Sequence, residues 1–116
     1  MAMTAAVVSG SLSSTGAGLQ FSPQIVKTGG ALSPSSMAYF NISVSGTFVA
    51  TYQIYRSIDG GLTFSPVSLQ GVPYTFTQTM NETMTEIQNG AIYYINVSGY
   101  SSGTLNYAFG QAYQSP

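Results

Sequence analysis

Residues 47–56 read Thr-Phe-Val-Ala-Thr-Tyr-Gln-Ile-Tyr-Arg, and their side chains alternate in character. Phe48, Ala50, Tyr52 and Ile54 fall on one face, with Thr47, Thr51 and Gln53 on the other. A period of two is the mark of a half-buried β-strand, since the faces of a helix repeat every 3.6 residues. The pattern recurs along the chain. Phe40, Ile42 and Val44 alternate with Tyr39, Asn41 and Ser43; Tyr74, Phe76, Gln78 and Met80 alternate with three threonines. Further on, Tyr93, Ile95 and Val97 share one face of residues 91–98, and Leu105, Tyr107 and Phe109 share one face of residues 104–110. No stretch has helical periodicity, and Asn, Ser, Thr and Gly fill helices poorly. About seven strands at roughly ten-residue spacing predict an all-β fold, a single antiparallel β-sandwich or jelly-roll-like domain.

Turn chemistry punctuates the strands. Residues 57–61, Ser-Ile-Asp-Gly-Gly, reverse the chain, because Asp hydrogen-bonds turn backbone and Gly accepts positive φ. Residues 62–64 then begin the return strand of a long hairpin, which Pro66 ends. Ser45-Gly46 reads as a two-residue turn, Asn89-Gly90 as a type I′ hairpin, and residues 100–103 as the turn into the last strand. Ser57, Asp59, Gly60, Gly61, Asn89, Gly90 and Gly103 are therefore read as turn residues. Residues 67–69 form a short edge candidate. The pattern through residues 81–88 leaves open whether Met84 or Ile87 is buried.

Three regions follow: an N-terminal arm over residues 1–36, a β-sandwich core over 37–111, and a polar tail over 112–116. The arm is rich in Gly, Ser and Ala and offers only short apolar pieces, residues 5–8, 19–21 and 25–26. One reading is a flexible leader with one edge strand. The other is an extended arm that orders against a neighbouring molecule by adding a strand to its sheet.

Ionic groups are scarce. Lys27, Arg56, Asp59, Glu82 and Glu86 are the only charged side chains, 4% of the chain, with a net charge of −1. Ser and Thr, about a quarter of the residues, do the wetting instead. Such a surface has little repulsion to keep copies apart, which favours a chain that packs against something. Two cations make no basic patch, so no nucleic-acid partner is expected. No uncharged run has the apolar continuity of a membrane helix. The first residues show neither a positive n-region nor an apolar core, so the expectation is use without export.

The chemistry available is thin. There is no His and no Cys, which removes the usual general base, the thiol nucleophile and most transition-metal sites. No catalytic residue, cofactor or metal is expected. Glu82 and Glu86 are the one local carboxylate pair, but in a strand they stand about 13 Å apart, too far for glycoside hydrolysis. They read as solvent-facing charges guarding a sheet edge. Asp59 reads as a turn cap rather than a calcium ligand. Arg56 and Lys27 have carboxylates to pair with, and Arg56 has Tyr55 to stack on. Tyr39, Tyr55, Tyr94, Tyr100 and Tyr113, with Arg56, are candidate interface anchors, the alternative being Tyr–Thr pairing on a solvated face. Asn41, Asn81 and Asn96 begin sequons that a Ser/Thr-rich chain produces by chance.

Two resemblances attach to these residues. Ser57, Asp59, Gly61 and Phe64 are similar to the Asp box of sialidase-like propellers, but a propeller repeats that hairpin and this chain holds it once. The box is read here as a turn motif. Ser45-Gly46-Thr47, Arg56-Ser57-x-Asp59-Gly60-Gly61, Gly90-x-x-Tyr93 and Ser102-Gly103-Thr104 resemble a small β-domain of tailed bacteriophages, across residues 45–111. That resemblance implies a virion structural protein assembled in the host cytoplasm, foremost a capsid decoration or cement protein. Its partners would be the major capsid protein or other virion proteins and its own copies, as a homo-oligomer such as a trimer. The alternative it implies is a carbohydrate- or receptor-binding domain of a tail fibre or adhesin.

Overall fold

The alternation read from the sequence is realised as burial. In the computed structural model, which describes residues 3–24, 38–69, 71–88 and 90–114, no residue is helical. The strands are β1 (Met3–Leu12), β2 (Gly16–Ala17), β3 (Ala38–Ser45), β4 (Phe48–Ser57) and β5 (Ser65–Pro66). They continue as β6 (Ser68–Leu69), β7 (Val72–Pro73), β8 (Met80–Glu86), β9 (Ile92–Gly103) and β10 (Leu105–Gln114). One antiparallel sheet has the order β1-β10-β3-β8 and a second β2-β9-β4-β5, with β6 and β7 forming a separate small ribbon. The two sheets pack as a β-sandwich, and Phe40, Ile42, Val44, Tyr52, Ile54, Ile95, Val97, Leu105 and Phe109 all point into it.

Three of the expected turns do not make hairpins. Ser45-Gly46 joins β3 of the first sheet to β4 of the second; Gly103-Thr104 joins β9 to β10 in the reverse sense. Gly90 lies between β8 and β9, again in different sheets, and Asn89 is outside the described residues. Each turn is an arch that carries the chain across the core. The reason is amphipathicity: both flanking strands have one apolar face, and folding those faces onto each other buries both at once. Two arches meet back to back, where the Thr104 amide donates to the Thr47 carbonyl at 2.9 Å. Gly103 (φ +87°) has no room for a side chain, because a Cβ would overlap that same carbonyl oxygen. Gly103→Ala is expected to lower stability by about 2 kcal/mol through positive φ and overlap, read by urea denaturation.

The central hairpin is shorter than the sequence suggests. β4 runs beside β9 for its whole length, and β5 adds only the pairs Tyr55–Pro66 and Arg56–Ser65. The expected return strand at 62–64 is turn, because residues 57–63 are tied to one another by side chains. Pro66 does not end the pairing, since the Val67 amide donates to the Ile54 carbonyl at 2.7 Å. Nor is 74–80 a strand. Phe76 bonds Tyr52 of β4 in both directions, and four residues later Met80 enters β8 in the other sheet, so this stretch is a crossing. Within β8, Met84 is half-buried while Ile87, just beyond the strand, is exposed.

The ends of the chain belong to the sandwich. β1 pairs with β10 without a break, from Met3 opposite Gln114 to Leu12 opposite Leu105. The arm thus carries a ten-residue edge strand on its own sheet rather than short pieces awaiting a neighbour. The expected tail at 112–116 is strand as far as Gln114. Gln111 is buried and exchanges hydrogen bonds with the Gln24 backbone, accepting from its amide at 2.7 Å and donating to its carbonyl at 2.6 Å. Phe21 enters the core, stacked on Phe109 at 5.4 Å and tilted against Phe40 at 5.5 Å. The glycines of the arm have a specific use. The Tyr107 ring end lies where Gly10 and Gly18 would otherwise carry side chains, and its hydroxyl accepts from the Leu19 amide at 2.7 Å.

Candidate functional site

The Asp-box residues build one closed turn. Ser57, buried at the end of β4, donates its hydroxyl to Asp59 Oδ1 at 2.7 Å and accepts the Gly61 amide at 2.9 Å. Asp59 in turn accepts the Thr63 amide at 3.0 Å and the Thr63 hydroxyl. These hydrogen bonds, those from Thr63 foremost, hold the Asp59 carboxyl down to about 2. Gly60 and Gly61 supply the positive φ angles the loop requires, +77° and +95°. Both Asp59 oxygens are occupied within the turn, which explains the residue without a metal. Ser57→Ala removes the hub, and the expected loss is about 1–2 kcal/mol in chemical denaturation.

Beneath that turn lies an ion pair that ties the two sheets together. Arg56 of β4 donates from Nε and Nη2 to the two carboxylate oxygens of Glu86 at the end of β8, at 2.6 and 2.5 Å. The Tyr93 hydroxyl donates to Glu86 at 2.7 Å and the Gln88 amide at 2.9 Å. Glu86 is only 2% exposed, so it does not guard an edge with Glu82 as its position suggested. Burial alone would push its carboxyl up; the bonds from Arg56, Tyr93 and Gln88, with the Arg56 charge, hold it down to about 2. The Tyr93 hydroxyl is raised, first by desolvation and then by its bond to the carboxylate. The Arg56 guanidinium is raised by the same pairing, and a third of its side chain stays exposed. Arg56 shares the core-facing parity of Phe48 to Ile54, and Glu86 that of Met80 and Met84. Opposite charges on two inward parities were the sequence signal for this pair.

The tyrosines divide. Tyr39 stands out of β3 at 61% exposure. Tyr55 and Tyr94, opposite each other on β4 and β9, are half-buried and stack at 5.2 Å with planes 5° apart. Phe64 meets Tyr94 edge-on at 4.8 Å. Tyr100 turns its hydroxyl to the Gly103 carbonyl at 2.7 Å and steadies that arch. The side chain of Tyr113 and all of Lys27 lie outside what is described.

An apolar cleft of about 290 Å³ opens on the β8 side of the sandwich, between β8, β4 and the crossing. Ile42, Ile54, Val67, Phe76, Met80 and Met84 line it, with the exposed Tyr74 and Glu82. Glu82 is the cleft's one carboxylate, and the Tyr74 phenol is the other ionisable group in its lining. Glu86, the nearest in sequence, already accepts four donors. Among the described residues no three His, Cys, Asp or Glu come close enough to hold a metal ion. Among the described residues no helix is long and apolar enough to cross a membrane. Comparison with protein-family models, with curated proteins and with solved structures finds no match to this chain.

Proposed function

We propose that this chain is a non-enzymatic building block of a larger particle, a virion protein of the head-decoration or cement kind. The observation that carries the reading is what the fold does with its few ionic groups. Arg56 and Glu86 neutralise each other between the sheets, while Asp59, held by neutral donors of its own turn, stays an exposed negative charge. Among the described residues Glu82 alone remains as an exposed carboxylate with no hydrogen-bonded partner. The surface is left polar, dotted with exposed apolar residues such as Val7, Val49, Leu62 and Val72, and almost free of charge. Copies of such a module, or a module and a shell, approach each other without repulsion. The virion context rests on the resemblance of the turn set to that of small phage β-domains. The mechanism is contact free energy spread over many weak sites, with no bond made or broken. The test is to add the pure protein to capsid shells of a tailed phage that lack a decoration protein. Saturable binding that raises the temperature at which shells break is expected; no binding to any shell at high concentration would overturn the reading.

One observation favours a second reading, a carbohydrate-binding module of a fibre. The stacked Tyr55 and Tyr94 have Gln53 and Asn96 as the next cross-strand pair on the same outer face, which sets amide donors beside aromatic rings. A glycan array separates the two: selective hits that Tyr94→Ala removes would favour the fibre module.

A further inference from the structure

The four lateral edges of the two sheets are not equally protected. In the second sheet, β2 is two residues long, and β5 is two residues long and contains Pro66. In the first, β8 has Glu82 on its core-facing parity, where an added strand would have to accommodate a carboxylate. Short edge strands, proline and inward charges are the usual means of refusing a further strand. β1 has none of them. Its ten residues, Met-Thr-Ala-Ala-Val-Val-Ser-Gly-Ser-Leu, contain no charge and no proline. One side is fully paired to β10 and the other faces no described strand. Val7, on its outer face, is 66% exposed.

We infer that the edge of β1 that faces no described strand joins two copies of this chain, antiparallel about a two-fold axis at Val7, merging two four-stranded sheets into one of eight. The inference rests on the assembly reading above and names its surface. A second copy is the occupant because the edge is self-complementary. A two-fold axis normal to the sheet keeps each face continuous only when residues of the same parity meet. Two registers then give equal overlap, centred on Val7 or on Val8. The first sets Val7 against Val7, with Ala5 facing Ser9 and Ala6 facing Val8, so the exposed apolar residue is covered by its own kind. The second sets Val7 against Ser9 and leaves it beside a hydroxyl. Charge raises no objection: β1 and β10 hold no ionic residue, and β8 with Glu82 lies three strand positions away, roughly 14 Å. An unrelated peptide would find no charge or pocket here to select it.

The absence of native cysteine makes the register directly testable. Opposed Cα atoms across an antiparallel pair are about 4.5–5.5 Å apart, within reach of a disulfide. Val7→Cys is therefore expected to give a covalent dimer on mild oxidation. Ser11→Cys places the two thiols about 27 Å apart and is expected to give none. Without cross-linking, sedimentation velocity should show a dimer that grows with concentration. Val7→Lys should abolish it while keeping the parent circular dichroism spectrum, and Thr83→Lys on β8 should leave it intact. Equal cross-linking of both cysteine variants, loss of the dimer in Thr83→Lys alone, or a parent monomeric at every concentration would each overturn the inference. Shell binding by a monomeric parent would sink the β1 edge and leave the assembly reading standing. A Val7-dependent dimer that binds no shell would do the reverse.

Discussion

A chain beginning at Ser22 is expected to lose cooperative folding altogether. The deletion removes β1, β2 and Phe21, which together cover β10, extend β9 and plug the core between Phe40 and Phe109. Losing the Phe21 ring alone is expected to cost about 3–5 kcal/mol. A domain of this size has a total stability of about 5–15 kcal/mol. The Tyr107 ring would also lose the backbone it packs on, and its hydroxyl would lose the Leu19 amide. Thermal melting followed by circular dichroism gives the answer. A sharp transition within a few degrees of the full chain would mean that the N-terminal residues are an appendage, contrary to the register described above.

Glu86→Ala comes next in expected effect. It strands the Arg56 guanidinium and the Tyr93 hydroxyl at the junction of the two sheets. Removing one partner of a buried pair destabilises by about 3–5 kcal/mol, and the lower end applies because Arg56 is one-third exposed. The same group sets the acid limit of the fold. Its carboxyl stands at about 2 in the folded chain against an ordinary value of 4.5. A depressed carboxyl stabilises fully above its unfolded value, and that contribution drains away as pH falls through the folded one. Stability is therefore expected to decline from about pH 5 down to about pH 2. In Glu86→Gln the decline should be shallower, what remains belonging to the Asp59 carboxyl, which is also held down to about 2. Urea midpoints at pH 6, 4 and 3 for both proteins are the measurement; parallel decline in the two would show that another group controls the acid limb.

Much of the sandwich was legible because burial follows local parity. Phe40, Ile42 and Val44 in β3, Tyr93, Ile95 and Val97 in β9, and Leu105, Tyr107 and Phe109 in β10 all point where a period of two placed them. Partnership was not legible. Ser45-Gly46 and Gly103 announce reversals, but the same reversal closes a hairpin or an arch, and only the distant strands decide which. Glycine misled in the arm. Gly10 and Gly18 read as freedom, whereas each is space kept for the Tyr107 ring, a contact nearly ninety residues away from Gly18. Of the candidate site, the Asp-box turn was readable because its bonds span six residues. The Arg56–Glu86 pair was only half legible: parity turns both charges inward, but that they meet depends on which strand of the facing sheet lies opposite.

The pairing of β1 with β10 also has a consequence for synthesis. At about 5–20 residues per second, the partner of Met3 emerges from the ribosome roughly 5–20 seconds after Met3 itself. For that interval an uncharged, proline-free segment is present with neither side hydrogen-bonded. Crowded polysomes would let nascent chains pair there prematurely, so the yield of soluble protein should rise when translation is sparse and fall when it is dense.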